Sequence, residues 1–360
     1  MLYSSDTELI SIFTDLPEIY KRFLPNFFNS GIPTESLATC NNCAMVCSDS
    51  KKEVEKLALK PFQPDKKCCT YHPSLPNYLV GGALLGASPE GKKRLISAIN
   101  KKTGITPYGI LTPSIYNVLY SNQSGGFGNS ETLLCPYYLK ETGFCGIWKY
   151  RESVCSTYFC KTLAGEKGRR FWMSLKGYLT HIEQSLAQHI IVQAGLDYFL
   201  KGNPVFKNQK STLTLEELDG MPPKDYEKMW GEWNGREDEF FIQSFEQISE
   251  LSKSKFKEIT GIRETVMLKN LQLEHLDMLS VPDNLSVHED WKPKNDEQSK
   301  KINYNAIDIQ FELPSVVLNS FDGKRSISEA KKILEENYEI EVEDSMILSL
   351  YHYGILKEQD

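Results

Sequence analysis

Nine cysteines are the residues best suited to chemistry in this 360-residue chain, and all of them fall between residues 40 and 160. They are Cys40, Cys43, Cys47, Cys68, Cys69, Cys135, Cys145, Cys155 and Cys160. Such clustering indicates a disulfide framework, metal held by thiolates, or redox chemistry at single thiols. The chain opens without a basic segment followed by an apolar run, so we expect no secretory signal and a cytoplasmic location. Thiols stay reduced there, and the odd number disfavours full pairing, so we expect metal ligands.

The upstream cysteines have a metal-ligand spacing. Cys40 and Cys43 are separated by two residues, which lets two thiolates from one tight turn reach the same metal. Cys47 adds a third potential ligand. The order of these spacings is the reverse of the Cys-x3-Cys-x2-Cys run in radical enzymes that use S-adenosylmethionine, so that class is disfavoured. The ferredoxin and zinc-deaminase patterns are absent from the sequence as well.

Cys68 and Cys69 are adjacent in the sequence. Successive side chains of an extended segment point in opposite directions, so two such thiolates do not easily bind one ion. They can serve two sites, or one can bind metal while the other packs. Four plus four ligands with one spare is one partition of the nine. In it, the three upstream cysteines join one member of the pair, and the other member joins the downstream set.

The downstream set follows a pattern of its own, with Cys135-Pro-Tyr-Tyr-Leu, Cys145-Gly-Ile-Trp and Arg151-Glu-Ser-Val-Cys155. Together with the upstream thiols this segment resembles a cysteine-cluster family of zinc- or iron-chelating proteins, over roughly residues 40–165. The upstream run departs from the family's Cys-x2-Cys-x2-Cys-Cys pattern, which leaves Cys47 and Cys68 as alternatives for its third position, and Cys160 is additional. Flagellin lysine N-methylases are similar in carrying such a set, so the resemblance implies a peptide- or protein-modifying enzyme as one option.

Arg151 lies inside this segment. A guanidinium beside several thiolates would offset their negative charge and could donate hydrogen bonds to sulfur, which makes Arg151 a candidate cofactor-binding residue. A surface ion pair is the alternative role.

Ligation by thiolates alone suits both iron–sulfur clusters and zinc. We expect an iron–sulfur cluster because the set is large, lacks well-spaced histidines, and lies among bulky aromatic residues that could exclude water. The alternative is structural zinc that staples a non-catalytic protein-interaction domain. A thiol-based redox sensor is a third interpretation, and it requires an exposed cysteine with a low pKa. Whether the protein is an enzyme stays open at this point.

The composition bears on which kinds of partner the protein could bind. Lys plus Arg number 41 and Asp plus Glu number 48, a formal charge of −7 that argues against a dedicated nucleic-acid binder. No uninterrupted apolar stretch of about 18 residues occurs, so we expect no membrane span.

The sequence predicts a mainly helical α+β protein. Residues 1–165 should form a loop-rich, metal-binding cysteine domain that relies on metal for stability. Residues 166–282 should form a helical region that packs on it, with helices over about 170–200 and 224–258. Residues 283–303 are polar and charged and are typical of a linker.

Residues 304–360 should form a small winged-helix-like module. An apolar–polar alternation over 307–313 predicts a strand, and Ser326-Ile-Ser-Glu329 fits a capping box that opens a helix through Asn337. A second helix over 342–353 and an edge strand after Gly354 should follow. The segment 317–329 resembles PqqD-like peptide-recognition modules, which implies a peptide or protein substrate held here. A dimerisation or packing module is the alternative.

Overall fold

The structure is a computed structural model. It describes residues 9–10, 16–24, 32–33, 36–37, 46, 62–157, 159–161, 165–196, 225–278, 281–293, 298–304, 309–352 and 354–358.

The described part of the chain is mainly helical with small antiparallel sheets, which confirms the predicted α+β class at this level. The helices are α1 (Glu18–Lys21), α2 (Asn77–Gly86), α3 (Pro89–Asn100), α4 (Ser114–Asn122), α5 (Ser153–Ser156), α6 (Gly165–Gln193), α7 (Tyr226–Trp230), α8 (Glu237–Ser249), α9 (Lys253–Met278), α10 (Ser315–Asn319), α11 (Ile327–Tyr338) and α12 (Asp344–His352). Among these helices, none is long and apolar enough to cross a membrane.

The strands are short, and every pair is antiparallel. They are β1 (Leu9–Ile10), β2 (Ile32–Pro33), β3 (Ser36–Leu37), β4 (Leu75–Pro76), β5 (Ile105–Thr106), β6 (Gly109–Ile110), β7 (Tyr138–Leu139), β8 (Phe144–Cys145), β9 (Phe159–Lys161), β10 (Leu285–Val287), β11 (Ser299–Tyr304), β12 (Ile309–Pro314) and β13 (Leu356–Glu358). The largest described sheet has three strands, in the order β4-β6-β5.

The cysteine region contains more helix than its many prolines and glycines suggested. Helix α2 is buried continuously from Asn77 to Ala83, and its glycines allow close packing rather than a turn. A Cβ at Gly81 would lie 1.8 Å from the carbonyl oxygen of Phe241 in α8, so only glycine permits this approach. Helix α3 begins at a conventional cap, since the Ser88 side chain accepts a hydrogen bond from the Gly91 amide.

The long helix predicted over 170–200 is present as α6. Its buried face repeats at three- and four-residue steps and belongs to the main hydrophobic core. Helix α9 packs along it. The helix ends at Gln193, and Gly195 adopts a φ of 69°, the left-handed conformation that commonly follows a helix terminus.

The single helix predicted over 224–258 is instead divided into α7, α8 and the start of α9. Gly231 and Gly235 adopt φ values of 53° and 83°, which no helix interior allows, and they separate α7 from α8. Helix α9 then extends well beyond the predicted end at 258, with a kink at Gly261.

The C-terminal residues form a second, smaller core. The capping box of Ser326 and Glu329 is present, so this prediction is confirmed. Helix α12 follows and packs against α9, and its Leu348 belongs to the main core. Residues 283–303 were expected to be a linker, but within them Leu285–Val287 forms β10. This strand pairs with β13, and Leu285 and Val287 are buried in the small core.

Candidate functional site

Five cysteines from four separate segments line one cavity of about 450 Å³, called here the cysteine cavity. They are Cys68, Cys69, Cys135, Cys145 and Cys155, and none of the five is part of a disulfide within the described residues. Sequence reasoning had proposed each of them as a metal ligand, and the fold brings them to one place. Cys40, Cys43 and Cys47 lie outside the described residues. Cys160 lies in β9, but its side chain is likewise outside the description.

The adjacent thiols Cys68 and Cys69 lie in a series of turns, not in the extended segment assumed from the sequence. Lys67 before them adopts a φ of 53°, in the left-handed region that is rare for lysine. The Tyr71 amide then donates to the carbonyl oxygen of Cys68 at 3.2 Å. This local winding brings both thiols to the same cavity, where they share a hydrogen bond.

Backbone hydrogen bonds fix the next two thiols. The Cys135 amide donates to the carbonyl oxygen of Cys69 at 2.7 Å, which joins the downstream segment to the vicinal pair. Cys145 lies in the hairpin of β7 and β8, directly opposite Tyr138. Gly143 closes this hairpin with a φ of 69°. The positions of both cysteines are therefore set by the backbone.

Cys155 is held by a carboxylate that sequence reasoning missed. Glu152 precedes the one-turn helix α5, and its side chain accepts hydrogen bonds from the amides of Val154 at 2.7 Å and Cys155 at 2.8 Å. Only 4% of Glu152 is exposed, and burial raises the pKa of its carboxyl group. Glutamate is not among the usual N-cap residues, so this cap could not be recognised from the residue type.

A second buried carboxyl group supports the same turn from α6. Glu183 accepts hydrogen bonds from the Ser153 amide and hydroxyl, each at 2.7 Å, and from the Tyr20 hydroxyl. Burial first, and then the neighbouring Glu152, raise the pKa of Glu183. The sequence did carry a signal here, because Glu183 interrupts the apolar stripe of α6 between Ile182 and Leu186. A carboxyl group on a buried helix face needs hydrogen-bond partners, and Ser153 in this turn provides them.

The pKa values of three of the thiols, those of Cys69, Cys135 and Cys155, are raised. Burial raises the pKa of Cys135 and of Cys155, and nearby thiols and Glu152 add to the effect. For Cys69, the hydrogen bond with Cys68 raises the pKa first and burial second. A redox sensor needs a cysteine with a lowered pKa, so these three thiols do not suit that interpretation.

Arg151 lies on the wall of the cavity that the five cysteines line. Its Nε donates to the carbonyl oxygen of Trp148 at 3.0 Å, and its Nη1 lies 3.3 Å from the carbonyl oxygen of Cys155. The guanidinium carbon lies 3.4 Å from the centre of the Trp148 ring, in a cation–π contact. Arg151 thereby connects the chain on both sides of Glu152 and places its charge at the cavity.

The five thiols of the cavity are chemically suitable ligands for a metal. The spacing between their side chains, however, does not suit a single metal ion. Within the described part of the chain, no group of three or more Cys, His, Asp or Glu side chains is arranged to hold a metal ion. A tetrahedral zinc ion with Zn–S bonds of about 2.3 Å keeps its sulfur ligands only about 3.8 Å apart. An iron–sulfur cluster allows wider spacing, because each thiolate binds a different iron atom.

No family model matched the chain, and comparisons with curated proteins and with solved structures found no match either. The resemblance to the cysteine-cluster family therefore depends on the cysteine pattern of residues 40–165 alone.

Proposed function

We propose that this protein holds an iron–sulfur cluster through its clustered cysteines, in a cytoplasmic setting where the thiols stay reduced. The observation that carries the proposal is the meeting of five thiols, from four separate segments, on one cavity. Free cysteines scattered through a core would not be expected to line a common space. The remaining candidates Cys40, Cys43, Cys47 and Cys160 would complete this cluster or hold a second site.

The surroundings of the thiols favour a cluster over a single ion. The cavity lining is largely apolar and includes Tyr71, Tyr137, Trp148 and Trp172, which would limit contact between water and the metal. Its volume of about 450 Å³ also exceeds what one ion needs. Structural zinc is the alternative, and it would require the three upstream thiols to complete a compact set of four.

The residues around the thiols would each have a distinct task. A bound cluster would supply electron transfer or an iron atom that activates a substrate. Cys68, Cys69, Cys135, Cys145 and Cys155 would provide thiolate ligands. Glu152 would fix the turn that carries Cys155, and Arg151 would offset part of the negative charge of the thiolates. Loading must release the thiol protons, so it would be favoured by higher pH.

The C-terminal module would serve a different purpose. Its three helices and paired strands agree with a winged-helix-like arrangement of the kind that accompanies peptide-modifying enzymes. We propose that it binds a peptide or protein substrate, with the cluster supplying the chemistry. Under this interpretation the protein is an enzyme. The non-catalytic alternative is a protein that holds a cluster but acts on no substrate.

Anaerobic purification of the full chain tests the cluster directly. We expect a brown protein with broad visible absorption and with iron and acid-labile sulfide in similar amounts. A colourless protein with stoichiometric zinc would favour the alternative. A colourless, folded and metal-free protein that also fails reconstitution with iron and sulfide would refute both.

Single substitutions then test the cavity. Cys135→Ser and Cys155→Ser should each remove most of the bound iron. Ser156→Ala is a matched control, because Ser156 lies in the same turn and is also buried. Its hydroxyl donates a hydrogen bond to the carbonyl oxygen of Arg151. Iron content that is equal in all three variants would contradict the assignment.

A further inference from the structure

The cysteine cavity has a second wall with different chemistry. Arg169, Trp172, Met173 and Lys176 line it from helix α6. These four residues are spaced three, one and three apart, so they lie on a single face of the helix. We call them the basic wall. Its two cationic residues are about 10 Å apart along the helix axis, with two large apolar side chains between them.

Lys176 is the unusual member of this wall. It is half-buried, and within the described residues its ammonium group makes no hydrogen bond or ion pair. The other lysine of this helix end, Lys167, pairs with Asp277 at 3.0 Å on the outer surface. A half-buried lysine can pack its methylene chain against the wall while its ammonium group stays at the cavity, where it could pair with an anion that enters.

The charges along the cavity favour an anion. Arg151, Arg169 and Lys176 line it, and Glu152 is the only carboxylate among the described lining residues. Arg169 also forms an ion pair with Glu166 at 2.6 Å, so its charge is already matched. Both oxygens of the Glu152 carboxylate already accept hydrogen bonds from the amides of Val154 and Cys155. Lys176 is therefore the cation of α6 in this lining that has no carboxylate partner among the described residues, and Glu152 is already occupied by backbone amides.

The mouth of the cavity is aromatic as well as basic. Trp148 is 38% exposed, Tyr120 is 43% exposed and Met173 is 49% exposed, so large apolar surfaces border the opening. The guanidinium of Arg151 lies over the Trp148 ring and holds it in place. The volume of about 450 Å³ lies within the range of small-molecule sites.

We infer that the mouth of the cysteine cavity binds a small organic anion with a flat apolar body, and that Lys176 pairs with its anionic group. The apolar body would lie between Trp148 and the basic wall, next to the thiols. This inference goes beyond the proposed cluster, because it depends on the wall opposite the cysteines. The rival role of Lys176 is to offset the charge of the cluster itself.

Two dyes of matched shape test the inference on the full-length protein. 8-Anilinonaphthalene-1-sulfonate carries an anionic group, and N-phenyl-1-naphthylamine has the same ring systems without it. Equilibrium dialysis, which is insensitive to the colour of a cluster, should show that the wild type binds the sulfonate about tenfold more tightly, as expected for one charge-assisted contact. Lys176→Met should abolish this preference and leave binding of the neutral dye unchanged. Lys167→Met, on the same helix but outside the cavity, should behave as wild type.

A third variant locates the dyes. Trp148→Ala should weaken binding of both dyes several-fold, because it removes the apolar surface at the mouth. Unchanged binding of both would overturn the placement. Equal affinity of the wild type for the two dyes, or an unchanged preference in Lys176→Met, would overturn the inference.

Iron and sulfide measured in the same samples separate the two hypotheses. A wild type without iron that still binds the sulfonate through Lys176 would refute the cluster and support the anion site. A Lys176→Met protein that loses iron while its dye preference stays at the wild-type value would overturn the anion site and assign the lysine to the cluster.

Discussion

The amide of Cys135 donates a hydrogen bond of 2.7 Å to the carbonyl oxygen of Cys69, so two cysteines distant in sequence are neighbours through their backbones. The contact between these two segments is thus made by the main chain and not only by side chains. The surrounding residues Tyr137, Tyr138 and Ile147 are buried in the main core, which continues up to the thiols. The cysteine cavity is therefore part of the folded body of the protein.

Removal of the Glu152 side chain should destabilise the turn that carries Cys155. Glu152→Ala leaves two amides, those of Val154 and Cys155, without acceptors in a buried place. We expect the free energy of unfolding to fall by about 1–3 kcal/mol, measured by urea denaturation of the metal-free protein. Glu141→Ala, at an exposed position, is the control and should change it little. Equal effects of the two substitutions would contradict the capping role.

Glu183 should make the stability depend on pH. Its pKa is raised in the folded state by burial and by Glu152, so the native protein holds a proton that the unfolded chain releases near pH 4.5. Between the unfolded and folded pKa values the native state binds more protons, and the free energy of unfolding falls as pH rises, by at most about 1.4 kcal/mol per pH unit. This contribution is complete below the unfolded pKa and is lost as pH rises through the folded pKa.

Glu183→Gln should remove this dependence. Urea denaturation of the wild type and the variant at several values between pH 5 and 8 would compare the two slopes. We expect the variant to lose less stability over this interval than the wild type does. Parallel pH profiles would show that Glu183 does not carry the effect.

Two substitutions of helical glycines by alanine should change the stability of the protein in opposite directions. A Cβ at Gly81 would lie 1.8 Å from the carbonyl oxygen of Phe241, so Gly81→Ala must push α2 away from α8 and should cost about 3 kcal/mol or more. A Cβ at Gly177 would meet only the Met267 methyl group, at 3.5 Å. Gly177→Ala should therefore stabilise α6 by about 0.5–1 kcal/mol. Thermal unfolding followed by circular dichroism would measure both, and a stable Gly81→Ala protein would refute the close approach of α2 and α8.

The boundary of the C-terminal module can be tested with two fragments. A fragment of residues 281–360 contains β10, whose Leu285 and Val287 are buried against the rest of the module. A fragment of residues 304–360 lacks this strand and leaves β13 unpaired. We expect only the longer fragment to give dispersed amide signals in NMR spectra, because an edge strand without its partner exposes the small core. Two equally folded fragments would make residues 283–303 the linker that their composition suggests.

Local signals in the sequence predicted the elements that depend on local interactions. Ser326 and Glu329 form their capping box whatever surrounds them, and the apolar stripe of α6 was long enough to define the helix. The downstream cysteines were also found, because thiols are rare and their spacing is conspicuous. These features need no knowledge of the tertiary structure.

Features that depend on distant partners could not be predicted in this way. The pair Gly81-Gly82 lies in the region predicted to be loop-rich, and nothing in the sequence reveals that the backbone of α8 approaches there. The left-handed backbone of Lys67, which turns Cys68 and Cys69 toward one cavity, is equally invisible because lysine rarely adopts it. Glu152 was missed for another reason, because its partners are local but glutamate is not among the usual N-cap residues.

Helix α12 contributes to two cores at once, since Leu348 packs in the main core while Ile347 and Leu350 pack in the small one. Its contact with α9 fixes the direction in which the C-terminal module faces. If the module binds a substrate as proposed, this contact would hold that substrate in one direction relative to the rest of the protein, unlike a domain on a flexible tether. Loss of the Leu348 packing would then turn a fixed arrangement into a diffusive one.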